Sequence, residues 1–209
     1  MVNMKKNTII TIGRQFGSGG HEIANRLAER LDIPLYDRNL IQMAAKELGI
    51  SHETAETVDE TILGKFLSAY VVNMGEYTSF MDGEATEPLS DQVYQTQSDI
   101  IRKLAKRSPC IMVGRCADHI LEYDFNCINA FIYAEKEDRV RRVTRIYNLN
   151  EKQAQEKIKK TDKERKLYYE AHTGRPWGSI ESHQMLFNVS RLGIDDIVDV
   201  LAAMFRARR

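Results

Sequence analysis

Nine residues between a β-branched run and a helical pattern carry the first chemical signal: Gly13-Arg14-Gln15-Phe16-Gly17-Ser18-Gly19-Gly20-His21. Glycines let successive backbone N–H groups converge on one point, and the start of the following helix adds partial positive charge. The segment Gly17, Ser18, Gly19, Gly20 and His21 therefore suits an oxyanion such as a nucleotide phosphate. A purely structural strand-to-helix turn would need only one or two glycines. A dinucleotide site would want G-x-G-x-x-G with an acid at the end of the second strand. Gly17, Gly19 and Gly20 are too closely spaced for that, although Asp37 stands where the acid would.

The loop departs from the pattern GxxxxGK[ST], because Gly20 occupies the lysine position and His21 the Ser/Thr position. Moving a phosphoryl group requires its charge to be compensated. Arg14, His21 or a distal arginine must then replace the lysine, and Arg14 is the first candidate.

Two further residues stand at expected strand ends. Arg115 directly follows an apolar run, where open α/β sheets bind their ligands, and its planar fork suits phosphate; a structural ion pair is the competing reading. Asp37 could orient a ligand hydroxyl, help place Mg²⁺, or cap the next helix. Between Glu151 and Glu170 charges of both signs are dense. That pattern fits a solvated helix, or a lid in which Arg165, with Arg141 or Arg145, contacts a transferring phosphate. Tyr168, Tyr169 and Trp177 read as packing groups rather than base-stacking ones. His52, His119, His172 and His183 are scattered without metal-ligand spacing.

The elements that must position these groups alternate. Asn7–Ile12 reads as a buried strand, and Ile23, Leu27 and Leu31 recur at helical spacing after it. Ile33–Tyr36 reads as a second strand, with a helix over Asn39–Leu48. Ser51–Leu89 reads as helical and then polar, a mobile cap. Asp91–Arg107 is a helix ended by Ser108-Pro109, and Cys110–Val113 and Ile128–Tyr133 are strands three and four. A helix over Glu137–Tyr147, a strand over Gln184–Val189 and a periodic run from Ile194 to Phe205 complete the pattern. Alternating strands and helices predict a three-layer α/β/α fold around a mostly parallel five-stranded sheet.

The run ITIGRQFGSGGHEIANRLAERLDIPLYDRNLI, with IMVGRCAD at Ile111–Asp118 and FNVSRLG at Phe187–Gly193, resembles the cytidylate-kinase-like family of P-loop nucleoside monophosphate kinase relatives. The resemblance implies transfer of the ATP γ-phosphate to a nucleoside monophosphate, CMP or dCMP first, with ATP and Mg²⁺ as cofactors. It implies one P-loop domain with its core at 7–50 and 91–209, an acceptor-binding insert at about 51–90 and a lid at about 150–175. By this likeness Gly17 to His21 form the ATP phosphate loop, and Asp37, Arg38 and Arg115 lie near the acceptor. Asp162 and Arg165 match the lid's Asp-x-x-Arg. Rival readings are a nucleotide-binding regulatory protein that lost catalysis with the lysine, or a kinase for a different small acceptor.

Whole-chain properties narrow the partners. Thirty basic residues balance thirty acidic ones, so no net field recruits nucleic acid or an anionic membrane. The first residues lack the apolar run of a signal peptide, and no span of eighteen apolar residues occurs. Cys110, Cys116 and Cys127 are odd in number and lack CxxC spacing, which fits a reducing, cytoplasmic setting with no structural metal. Oligomeric state is open between monomer and homo-oligomer.

Overall fold

The computed structural model describes residues 7–37 and 89–208. Compactness divides the chain into one unit of Met1–Asp37 with Ile101–Arg209 and a second of Arg38–Ile100. The helix expected over Asn39–Leu48, the insert at about 51–90 and Arg38 lie outside the described residues, apart from the insert's last two positions.

In chain order the elements are β1 (Thr8–Arg14), α1 (Gly20–Leu31), β2 (Leu35–Tyr36), α2 (Leu89–Arg107), β3 (Cys110–Val113), α3 (Ala117–Leu121), β4 (Asn126–Tyr133), α4 (Lys136–Tyr147), α5 (Glu151–Thr173), β5 (Met185–Asn188) and α6 (Ile194–Arg208). Among the described residues, five strands form one parallel sheet in the order β2-β3-β1-β4-β5, with β1 at its centre. This is the α/β/α arrangement that strand–helix alternation predicts.

β1 runs two residues past the expected end. Gly13 pairs in register with Phe131 and Arg14 with Ile132, so the ladder carries the chain up to the start of the loop. Alternation along β1 divides its residues between two faces. Ile10 and Ile12 pack with Ile23, Ala24 and Leu27 of α1 and with Ile197, Val198, Leu201 and Phe205 of α6. On the opposite face Thr11 is buried, its hydroxyl 2.6 Å from Asn129 Oδ1.

α5 is one unbroken helix. Its start is fixed by a capping box in which Gln153 N–H donates to Asn150 Oδ1 at 2.9 Å and Asn150 N–H to Gln153 Oε1 at 3.0 Å. Despite its charge it buries Ala154, Ile158 and Tyr169. The five-residue α3 was not expected from the sequence. It follows three consecutive left-handed residues, Gly114 (φ 73°), Arg115 (φ 63°) and Cys116 (φ 54°).

Candidate functional site

The segment Gly13–His21 leaves the carboxyl end of the central strand and enters α1, the position where parallel sheets gather their ligands. Its two halves behave differently. In the first half, residues 14–16 have their backbone groups taken up. Gln15 N–H donates to Ile132 O at 3.0 Å, Phe16 N–H donates to Asp162 Oδ1 at 2.7 Å, and Arg165 Nη1 donates to Arg14 O at 3.0 Å. Arg139 Nη1 reaches both Phe16 O at 3.2 Å and Asp162 Oδ2 at 2.5 Å. The Phe16 ring is buried with Val140, Val143, Ala154 and Ile158, stacks on Tyr147 at 5.6 Å, and lies under the Arg165 guanidinium. The α4–α5 pair therefore grips the loop through one aromatic plug and three polar side chains.

In the second half the donors are left over. Ser18 turns inward, its Oγ donating to Gln15 O at 2.9 Å. Among the described residues, no hydrogen bond takes up the backbone N–H of Gly17, Gly19, Gly20 or His21. Gly17 (φ 79°) and Gly19 (φ 91°) hold left-handed conformations that ordinary side chains resist. A Cβ on Gly17 would also meet Val143 Cγ2 at 2.8 Å. Unpaired amides at a helix start, on a backbone only glycine adopts readily, form a cradle for an anion.

Two clusters of charge flank this cradle. On the α4 side an open groove of about 470 Å³ is lined by Gly17, Ser18, Arg141, Arg142, Arg145 and Ser190, among others. Arg142 closes in most: its Nη1 lies 3.5 Å from where a Cβ on Gly19 would sit, and its Nη2 is ion-paired with Glu22 of α1. Burial raises the Glu22 pKa, but Arg142 and Arg26 outweigh it and hold the carboxyl below its usual value. Arg141 pairs with Asp138 and is largely exposed.

On the β2–β3 side stand the other predicted residues. Arg14 does not face the groove; its Nη2 lies 3.5 Å from Asp37 Oδ1, while His21 Nδ1 lies 2.9 Å from Asp37 Oδ2. Asp37 thus links the end of β1 to the start of α1. Arg115 follows β3 in a left-handed conformation, which costs a non-glycine residue about 1 kcal/mol. Asp162 and Arg165, matched to the lid by the family likeness, hydrogen-bond the backbone of the loop at Phe16 and Arg14. Arg139, Arg142 and Glu22 are additions that sequence reading missed.

Behind the loop, on the face of Gly13, lies a buried polar group. Tyr169 donates to Asp118 Oδ2 at 2.7 Å, and His183 Nδ1 stands 3.7 Å from the same oxygen, with neither ring nitrogen hydrogen-bonded. Burial pushes the His183 pKa down, which Asp118 only partly offsets, so the ring is held neutral. Phe131 stacks against His183 at 4.9 Å and meets Trp177 edge-on at 5.2 Å, so Tyr169 and Trp177 are packing groups. Cys110, Cys116 and Cys127 are buried as well, and burial raises the Cys110 thiol to about 12.

The model of the cytidylate kinase-like family matches residues 9–191. The crystal structure of an uncharacterized protein from Eubacterium ventriosum ATCC 27560 is 28% identical and superposes with a TM-score of 0.68 over 96% of this chain and 99% of that one. Shikimate kinase from Bacteroides thetaiotaomicron (TM-score 0.52, 14% identity, 95% of this chain and 98% of that one) shares the fold. So does shikimate kinase from Acinetobacter baumannii in complex with shikimate (TM-score 0.50, 15% identity, 98% and 95%). Among curated proteins, none matches the sequence. Among the described residues, no helix is long and apolar enough to cross a membrane.

Proposed function

The chain belongs to the cytidylate kinase-like family, and from that premise we propose that it is a nucleoside monophosphate kinase that transfers the ATP γ-phosphate to CMP or dCMP. One observation carries the reading: the unclaimed amides of Gly17, Gly19, Gly20 and His21 open between an arginine-lined groove and the Arg14–Asp37–His21 cluster. Such a site would stabilise a phosphoryl group in flight by position and charge, without a covalent intermediate.

ATP would supply the phosphoryl group, with the cradle and Arg142 holding its phosphates and the groove beside α4 taking the rest of the nucleotide. Among the described residues no three His, Cys, Asp or Glu side chains gather for a metal, and Glu22 and Asp37 are already ion-paired. Mg²⁺ would accordingly be held mainly by the nucleotide's phosphates and water, as is common for this ion. The acceptor would lie on the side of Asp37 and Arg115. By the family likeness its base would be read by Arg38 and the segment at 51–90, which lie outside the described residues apart from positions 89 and 90. The reaction and the balanced charge fit a cytoplasmic protein acting on small molecules, without nucleic acid or membrane.

Incubation with Mg-ATP and a panel of monophosphates, CMP and dCMP included, while ADP release is followed, tests the proposal. Selective turnover of a cytidine nucleotide is expected. Shikimate belongs in the panel, because two proteins of this fold are shikimate kinases. A second reading, a nucleotide-binding regulator, is favoured by the glycine at position 20. ATP binding without turnover of any acceptor would decide for it.

A further inference from the structure

If the pattern GxxxxGK is laid on this loop with Gly19 as its second glycine, Gly20 takes the lysine position and Arg14 the position of the first glycine. Both ends of the pattern have changed together: a cation stands where glycine belongs, and glycine where the cation belongs. The structure supplies a reason for the pairing. Gly20 is the first residue of α1 and, unlike Gly17 and Gly19, is not at positive φ, so its backbone does not call for glycine. Its space does. A Cβ on Gly20 would lie 2.7 Å from Arg14 Cβ, closer than carbon atoms approach, and a tight 3.2 Å from Arg14 Cγ. The next nearest atom, Ile132 Cβ, is at 3.4 Å, an ordinary contact.

The far end of Arg14 is housed in the same way. Gly114, at φ 73°, leaves open the space that the Arg14 guanidinium fills, and a Cβ there would overlap Nη1. The side chain, 15% exposed, ends beside Asp37, whose second oxygen is held by His21 in the first turn of α1. The guanidinium is therefore one carboxylate away from the helix start that the displaced lysine would have occupied.

We propose that the loop's cation has been transposed: Arg14, seated between Gly20 and Gly114 and held by Asp37, supplies the positive charge to the bound phosphates, and Gly20 is glycine to make room for it. Asp37 sets the position of this charge, with His21 as its second partner. The inference rests on the kinase reading only for the identity of the phosphate ligand; its steric half concerns the protein alone.

The test is a double-mutant cycle on the full chain with Arg14→Gly and Gly20→Ala, read first by thermal unfolding without ligand and then by calorimetric binding of ATP and AMP. In the wild-type background Gly20→Ala should lower Tm by about 5 °C through overpacking. In the Arg14→Gly background the same change should be neutral or stabilising, because both contacts shorter than 3.4 Å are gone and alanine suits a helix better. Arg14→Gly alone should weaken ATP binding by about tenfold or more while AMP binding changes little, as loss of a charge-assisted phosphate contact implies. Gly20→Lys added to Arg14→Gly should recover part of that loss; should the glycine variant fold poorly, Arg14→Met serves for the binding arm. Equal Tm losses for Gly20→Ala in both backgrounds would overturn the proposal. So would ATP affinity in Arg14→Gly equal to that of the wild type, with the kinase reading left standing. If the wild type bound no ATP, the kinase reading and the charge assigned to Arg14 would fall together, whereas the Tm cycle would still report the steric pairing.

Discussion

Asp162 of α5 accepts the Phe16 N–H at 2.7 Å with one oxygen and the Arg139 guanidinium at 2.5 Å with the other, so one carboxylate ties two helices to the glycine loop. Both side chains of the ion pair are largely buried. Asp162→Ala would strand Arg139 and free the Phe16 amide. We expect a stability loss of about 3 kcal/mol, the cost of removing one partner from a buried pair. Chemical denaturation measures it, and nucleotide affinity should fall with it because the cradle loses its outer support.

Arg142 offers a change at the groove with the fold kept intact. Arg142→Met retains the stem and removes the guanidinium beside Gly19, leaving Glu22 to repel an incoming phosphate. ATP should bind about tenfold more weakly or worse, as expected for a lost hydrogen bond to a charged group. Calorimetry on the folded variant checks this, with circular dichroism showing unchanged helix content.

His183 predicts the direction of a pH effect. Burial holds its pKa below the ordinary histidine value of about 6.5, so below that pH the unfolded chain takes up a proton that the folded chain refuses. This part of the stability is intact above about pH 6.5 and is lost as pH falls, at up to about 1.4 kcal/mol per pH unit for one proton. His183→Phe, facing Phe131 and Tyr169, should flatten the decline in Tm between pH 7 and 5. An unchanged slope would assign the decline to other groups.

The capping box at the start of α5 isolates a local contribution. Asn150→Ala removes the acceptor of the Gln153 N–H and should cost about 1 kcal/mol, read by urea titration. Asn150 lies about three turns before Asp162 and Arg165, the α5 residues that hydrogen-bond the glycine loop, so ATP affinity should hold.

The centre of this architecture was legible in the sequence because local signals agree there. A β-branched run, a glycine turn and a helix of 3.6-residue period each point to the same strand–loop–helix unit. The edges were less so. β1 continues to Arg14 because β4 supplies partners as far as Ile132, a long-range pairing that no local pattern records. Arg139 and Arg142 look like a solvated helix face until the loop is laid against α4. His183 lies in a polar stretch and is buried only through Phe131, Tyr169 and Asp118, which lie 52, 14 and 65 residues away. Arg14 could be singled out by its type, but its orientation towards Asp37 depends on the space left at Gly20 and Gly114.

Phe16 joins the binding loop to the α4–α5 pair as a bolt joins two plates. Fraying of that hairpin would dismantle the cradle at the same moment, and a ligand that fixes the amides of Gly17–His21 would slow hydrogen exchange along α5, far from any atom it touches. The packing of Phe16 predicts that the site and the hairpin unfold together, and hydrogen exchange followed with and without nucleotide checks it.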